Sequence, residues 1–204
     1  MLGKYSYHRW PHALAVLVGV YTLLTGPLTA QEADPCRLEL GKAALEPFEQ
    51  GGKYGYRMAD GVTMIEPVYA HAMAFSAEGI AAVVDQDGWV YIDRTGKQLI
   101  RPHVVDNGPD YFREGLARFV SHGKFGFMDT RARIAIKATF AYAEPFERGY
   151  ALICEDCHLQ RSGEHAMMEG TRWGVIDTTG KVVVAPDLER DQARAAAQRL
   201  DGGG

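Results

Sequence analysis

The chain has 204 residues, of which 47% are hydrophobic and 24% charged, a globular composition that does not suggest disorder. Its net charge of -4 and pI near 6.0 provide no basic stripe, so nucleic acid is not an expected partner. The 23 glycines recur at intervals rather than pooling in a linker.

In chain order, residues 1–30 read as a secretory signal. Lys4 and Arg9 form a positive n-region, Ala13–Leu24 an apolar core, Gly26-Pro27 a break, and Ala30 a small residue before the cut. The apolar core is shorter than the roughly 20 residues a spanning helix needs, so no membrane span is expected after cleavage. The expected compartment is the periplasm or the cell exterior, where disulfides persist. Three cysteines, Cys36, Cys154 and Cys157, leave one thiol over or paired between chains.

A lead-in, 31–47, precedes a repeat region at 48–186. Four segments align from an aromatic residue toward a proline. They start at Tyr54, Trp89, Phe125 and Trp173 and reach Pro67, Pro102, Ala138 and Pro186. In Trp89-Val90-Tyr91-Ile92 large apolar residues alternate as on a strand. Asp93 to Gly96 reads as a turn, with Asp129, Asp177 and Gly180 in the matching columns; the carboxylate bonds back to the chain and glycine takes a positive φ. A return strand follows, such as Lys97–Ile100 or Lys181–Val184, which Pro102 or Pro186 is expected to stop because proline cannot donate to a ladder. A Phe-x-x-Gly element then opens a third strand: Phe75 with Gly79, Phe112 with Gly115, and Phe146 with Gly149. Phe48-Glu49-Gln50-Gly51 reads as a truncated first copy.

The expected fold is all-β: about four tandem repeats of roughly three short antiparallel strands each, stacked as an open, solenoid-like array. So small a unit cannot bury its own aromatic face, so neighbours must stack. Tyr54, Trp89, Phe125 and Trp173 are expected to fill those interfaces as core rather than form a ladder for sugars or bases. Gly55, Gly126 and Gly174 follow the aromatic and let a neighbouring backbone approach. Asp93, Asp129 and Asp177 share one turn column and do not suggest a catalytic set. His71, His103 and His122 fall in no common column. The Gly-Lys pairs at 96, 123 and 180 lack the rest of a phosphate loop.

Aromatic-Gly-aromatic-Ile-Asp-x-x-Gly-Lys, a Val/Ile-rich strand, proline and then Phe-x-x-Gly-Leu-Ala resembles the WG-repeat (KWG) family of bacterial proteins over roughly residues 48–186. The resemblance implies an exported β-repeat protein. Val90 stands where the family has glycine, Ala132 replaces the turn glycine and Ala138 the proline. Distortion is therefore expected in the third hairpin.

One irregularity could carry chemistry. The Phe-to-aromatic spacing is 14 residues from Phe75 to Trp89 and 13 from Phe112 to Phe125, but 27 from Phe146 to Trp173. The excess is an insertion, 154–170, containing Cys154, Cys157, His158, His165, Met167 and Met168. Four readings stay open. Cys-x-x-Cys-His is the haem-attachment sequence; the two thiolates with His158 and His165 could hold zinc; the cysteines could be a redox pair; or they could form a structural disulfide. Compartment and context favour the disulfide. Relatives of the family carry similar Cys-x-x-Cys insertions, which implies the same.

Residues 187–204 form a tail in which Leu188–Leu200 could be a helix covering the last strand edge. The functional expectation is a non-catalytic binding or scaffolding module without a cofactor, its partner a protein or a cell-envelope component. The opposing class is a metal- or haem-dependent redox protein centred on Cys154.

Overall fold

The computed structural model describes residues 44–162 and 165–202, with side chains for all of these outside 161–167. The expected signal segment, most of the lead-in and Cys36 lie outside the described residues.

The chain is mostly β, built of small antiparallel sheets. The first contains β1 (Leu45–Gln50), β2 (Lys53–Met58) and β3 (Thr63–Tyr69), with β2 central. The second joins β4 (His71–Ala72), β5 (Ile80–Asp85) and β6 (Gly88–Asp93). A two-stranded ribbon, β7 (Val104–Val105) with β8 (Gly108–Pro109), leads into the third sheet, β9 (Leu116–Ser121), β10 (Lys124–Asp129) and β11 (Ile134–Phe140). The fourth sheet orders β12 (Tyr142–Ala143), β13 (Tyr150–Cys154), β16 (Trp173–Asp177) and β17 (Val182–Leu188); among the described residues, β14 (His158–Ser162) and β15 (His165–Glu169) pair only with each other. Helix α1 (Arg190–Asp201) follows.

Alternation along the strands sends side chains to opposite faces, and here both faces are buried. On β6, Val90 and Ile92 pack with Tyr56, Ile65 and Val83, whereas Tyr91 packs with Ala117, Phe119 and Met128 of the third sheet. Phe127 and Ile136 join Ala143, Phe146, Ala151, Ile153 and Ile176. Trp173, Val175 and Leu152 meet Ala193 of α1. The helix lies over the face of the fourth sheet, not along its edge as expected, because its Ala193 and Ala197 turn toward the rings and aliphatics of β13 and β16.

Several expectations need correction. Phe48 is not a strand-entry residue: it sits inside β1 opposite Gly55, and Gly51 belongs to the β1–β2 turn. Nor do Pro67 and Pro186 stop their return strands. Pro67 lies within β3 and Pro186 within β17. Each faces a glycine across a register shift, between Tyr54 and Tyr56 in one hairpin and between Trp173 and Val175 in the other. At such a bulge the ladder is interrupted, so a residue without an N–H is tolerated. The glycine is required because the bulged backbone passes over it. A Cβ on Gly126 would come within 2.6 Å of Ala138 N, and one on Gly174 within 2.8 Å of Pro186 N.

Val90 explains the next difference. With a side chain in that column, no bulged strand forms over it, and the second copy keeps only the Ile92–Gln98 bridge before Pro102 crosses to Phe119. Residues 104–109 fold into the extra ribbon, turned by Asp106 and Asn107 at φ 49° and 66°. The irregular hairpin is thus the second, not the third. Ala132 adopts the left-handed φ of 54° in place of glycine, and its methyl is buried between the second and third sheets.

Candidate functional site

The insertion folds as a hairpin standing on a cross-linked base. Cys154 ends β13, directly opposite Trp173, and Cys157 opens the loop; the two are joined as a disulfide. Both are buried, Cys154 completely. Asp156 ties the two ends of the insertion together: its carboxylate accepts from the amides of Thr171 and Arg172, at 3.1 and 3.0 Å, and from Thr171 Oγ1 at 2.9 Å. Burial pushes the Asp156 carboxyl up, but these donors outweigh it and hold it below the usual carboxylate range. Gly170 closes the base. A Cβ there would lie 2.6 Å from Cys157 Sγ, and its carbonyl accepts from Trp173 Nε1 at 2.8 Å.

From this base β14 pairs with β15 in register, His158 opposite Glu169 and Leu159 opposite Met168. His158 and Leu159 are exposed. The side chains of His165 and Met167 lie outside the described residues. The ligand atoms of Cys154, Asp156 and Cys157 fall within 4.8 Å of one another. While the sulfurs are bonded to each other, neither is a thiolate for zinc or a thiol for a haem vinyl group. Their burial also shields them from an attacking external thiolate.

The repeat aromatics divide into two columns that the sequence did not rank. Tyr54, Trp89 and Phe125 are only half-buried, and Trp173 alone of that column is fully covered, by α1 and by Arg190 lying 5.4 Å above its ring. The deep column is two residues later: Tyr56, Tyr91, Phe127 and Val175. Onto its rings pack the strand-entry phenylalanines, Phe75 on Tyr56 and Phe146 on Phe127, each at 4.7 Å between centroids. The outer column is filled in by side chains from the return segments. His71 lies between Tyr54 and Trp89, at 5.7 and 5.5 Å, and Tyr142 between Phe125 and Trp173, at 5.1 and 6.0 Å. His71 therefore occupies the same place in its copy as Tyr142 does in the third, each lying equally far along the chain from the aromatic that opens its hairpin. His103 reaches Phe125 at 5.0 Å.

The turn aspartates serve their own turns. Asp93 Oδ1 accepts from the amides of Thr95 and Lys97, Asp129 Oδ1 from Arg131 and Arg133, and Asp177 Oδ1 from Thr179 and Lys181. Gly79, Gly96, Gly115, Gly149 and Gly180 have positive φ, and Gly149 N donates to Glu114 Oε2.

A buried ion pair was not legible in the sequence. Arg118, in a column otherwise held by Ala82 and Leu152, grips Asp110 through Nε at 2.8 Å and Nη2 at 3.0 Å, and donates to Ala143 O from Nη1. Both partners are under 10% exposed. An arginine on β9 could have drawn notice only as a charge in an apolar column.

These units can be set beside known families. The family model described as the WG containing repeat matches residues 125–156 and 173–190. These two segments are similar to WG repeats. The first matched segment spans β10 to the disulfide and the second runs from Trp173 into α1, so the Cys154 hairpin falls between two WG-repeat segments. No curated protein and no solved structure matches the chain. Among the described residues no helix is long and apolar enough to cross a membrane.

Proposed function

We propose that this WG-repeat protein is an exported, non-catalytic binding or scaffolding module. It is an open array of about four repeat units, and the β14–β15 hairpin presents its recognition surface to a protein or a cell-envelope component. The observation that carries this reading is the hairpin's construction. It pairs with no other strand among the described residues, it exposes Leu159, and its base is fixed by the disulfide and by Asp156. A projecting element on a rigid base loses less conformational freedom on binding, which is how preorganised loops gain affinity. Stacked repeats supply the scaffold, as repeat architectures generally do.

The opposing reading is a metal or haem redox centre. It draws on the closeness of Cys154, Asp156 and Cys157, and it requires the disulfide to be open.

The test places a photo-crosslinking residue at Leu159, and in a second variant at exposed Val120 as control, in the chain expressed with its own N-terminus. Cell fractions are then analysed by intact mass. Binding through the hairpin gives an adduct specific to position 159, in a processed chain two hydrogens lighter than its reduced form. Equal or absent adducts from both positions sink the hairpin as recognition surface, and a cytoplasmic, unprocessed chain sinks export.

A further inference from the structure

Among the three aromatic pairs that couple a deep ring to the next strand-entry phenylalanine, one is open. Tyr56–Phe75 and Phe127–Phe146 are 4.7 Å apart, but Tyr91–Phe112 stand at 6.1 Å. The open pair belongs to the copy in which Val90 blocks the bulge and the 104–109 ribbon intervenes before Phe112. Beside it lies a cleft of about 180 Å³, open to solvent on one side, where Met73, Ile80, Ala82, Tyr91 and Phe112 form the apolar wall and Glu78 and Thr130 add polar groups. The wider ring spacing sets this joint apart from the other two.

Ser76 also lines the cleft, and its hydroxyl is buried without a hydrogen-bond partner. Buried hydroxyls are ordinarily partnered, and one left alone is destabilising. The backbone around it is already committed: Ser76 N donates to Ile80 O, and Ser76 O accepts from Gly79 N. A ligand group in the cleft that reached the Ser76 hydroxyl would give it the partner it lacks.

We propose that this cleft is a binding site for one small aromatic ring carrying a single hydrogen-bonding group, of the phenol class. The apolar walls are the ring's environment, and Ser76 Oγ bonds the substituent. The volume suits one ring, since apolar cavities of about 150 Å³ accept benzene. The site goes beyond the hairpin reading and does not depend on it, because the cleft and the hairpin share no residue.

The experiment titrates phenol and benzene separately into the full chain and follows the methyl resonances of Met73 and Ile80 by NMR. The expected result is saturable shifts with both, with phenol bound about tenfold more tightly, the ratio that one added hydrogen bond of ordinary strength gives. Ser76→Ala, a change that removes an unpartnered hydroxyl and leaves the fold intact, reduces the ratio to near one. Ala74→Phe, at the exposed rim, abolishes the shifts of both. The proposal is overturned if neither ring gives saturable shifts, if Ser76→Ala leaves the phenol preference in place, or if Ala74→Phe leaves binding unchanged. Binding at the hairpin is read separately through crosslinks at position 159, so failure of either leaves the other standing.

Discussion

Gly174 lies directly beneath Pro186: a Cβ on the glycine would sit 2.8 Å from the proline nitrogen and 2.6 Å from Val184 O. Both contacts are with backbone, which cannot swing aside as a side chain would. Gly174→Ala is therefore expected to destabilise by about 1–3 kcal/mol through overpacking. Gly126→Ala falls in the same range, for the same contact with Ala138. Gly108→Ala, whose Cβ would meet nothing closer than 3.8 Å, is the near-neutral control. Urea melts of the three variants check this; equal losses at 108 and 174 would remove the close approach as the cause.

The two aromatic columns predict unequal losses at two tryptophans. Trp173 is 1% exposed and packed against the disulfide and α1, so Trp173→Ala should cost about 3–5 kcal/mol. Trp89 is half-buried, its Nε1 donating to Asn107 O, and Trp89→Ala should cost roughly half as much. Thermal or urea unfolding decides, and a larger loss at Trp89 would invert the assignment.

The disulfide closes a loop of only four residues. On the chain-entropy relation, removing it by Cys157→Ser costs about 2 kcal/mol. The loss is expected in oxidising buffer only. When wild type is reduced in denaturant and both proteins are refolded under a dithiol reductant, they should unfold together. A loss that persists under the reductant would mean that Cys157 matters through its packing rather than its bond.

Acid should act on the joint held by Asp110 and Arg118. Burial pushes the Asp110 carboxyl up, but the Arg118 guanidinium outweighs it and holds the carboxyl below its ordinary value. Burial and Arg118 together push His103 down, against an upward pull from Asp110. In both cases the unfolded chain binds protons more readily than the folded one, so stability rises with pH. The contribution of His103 is lost as pH falls below the ordinary histidine value, and that of Asp110 as pH falls through the lowered carboxylate value. Tyr91, the tyrosine facing Asp110, is pushed up to about 12 by burial and stays neutral across this range. Asp110→Asn leaves Arg118 buried without its counter-charge and should cost about 3–5 kcal/mol at neutral pH, with a flatter acid limb. Stability measured against pH in both proteins tests the sign and the size.

Much of this protein is local, and the sequence carries it. Aromatic alternation, Asp-to-Gly turns and their recurrence specify short antiparallel strands, because period-2 burial and turn chemistry are decided within a few residues. The spacing from Phe146 to Trp173 marked the insertion for the same reason. Which faces meet was decided only by tertiary packing. The sequence could not say that Tyr56, Tyr91 and Phe127 lie deeper than Tyr54, Trp89 and Phe125, since both columns are aromatic and only stacking against the next sheet distinguishes them. The prolines misled because a bulge over glycine excuses a missing N–H, and a bulge is a relation between two strands. Val90 could be seen as a departure, but its effect was felt at residues 98–112, where the chain had to find another path. The Arg118–Asp110 pair and the open Tyr91–Phe112 joint follow from that path: they exist only because distant segments are brought together, and no local pattern records them.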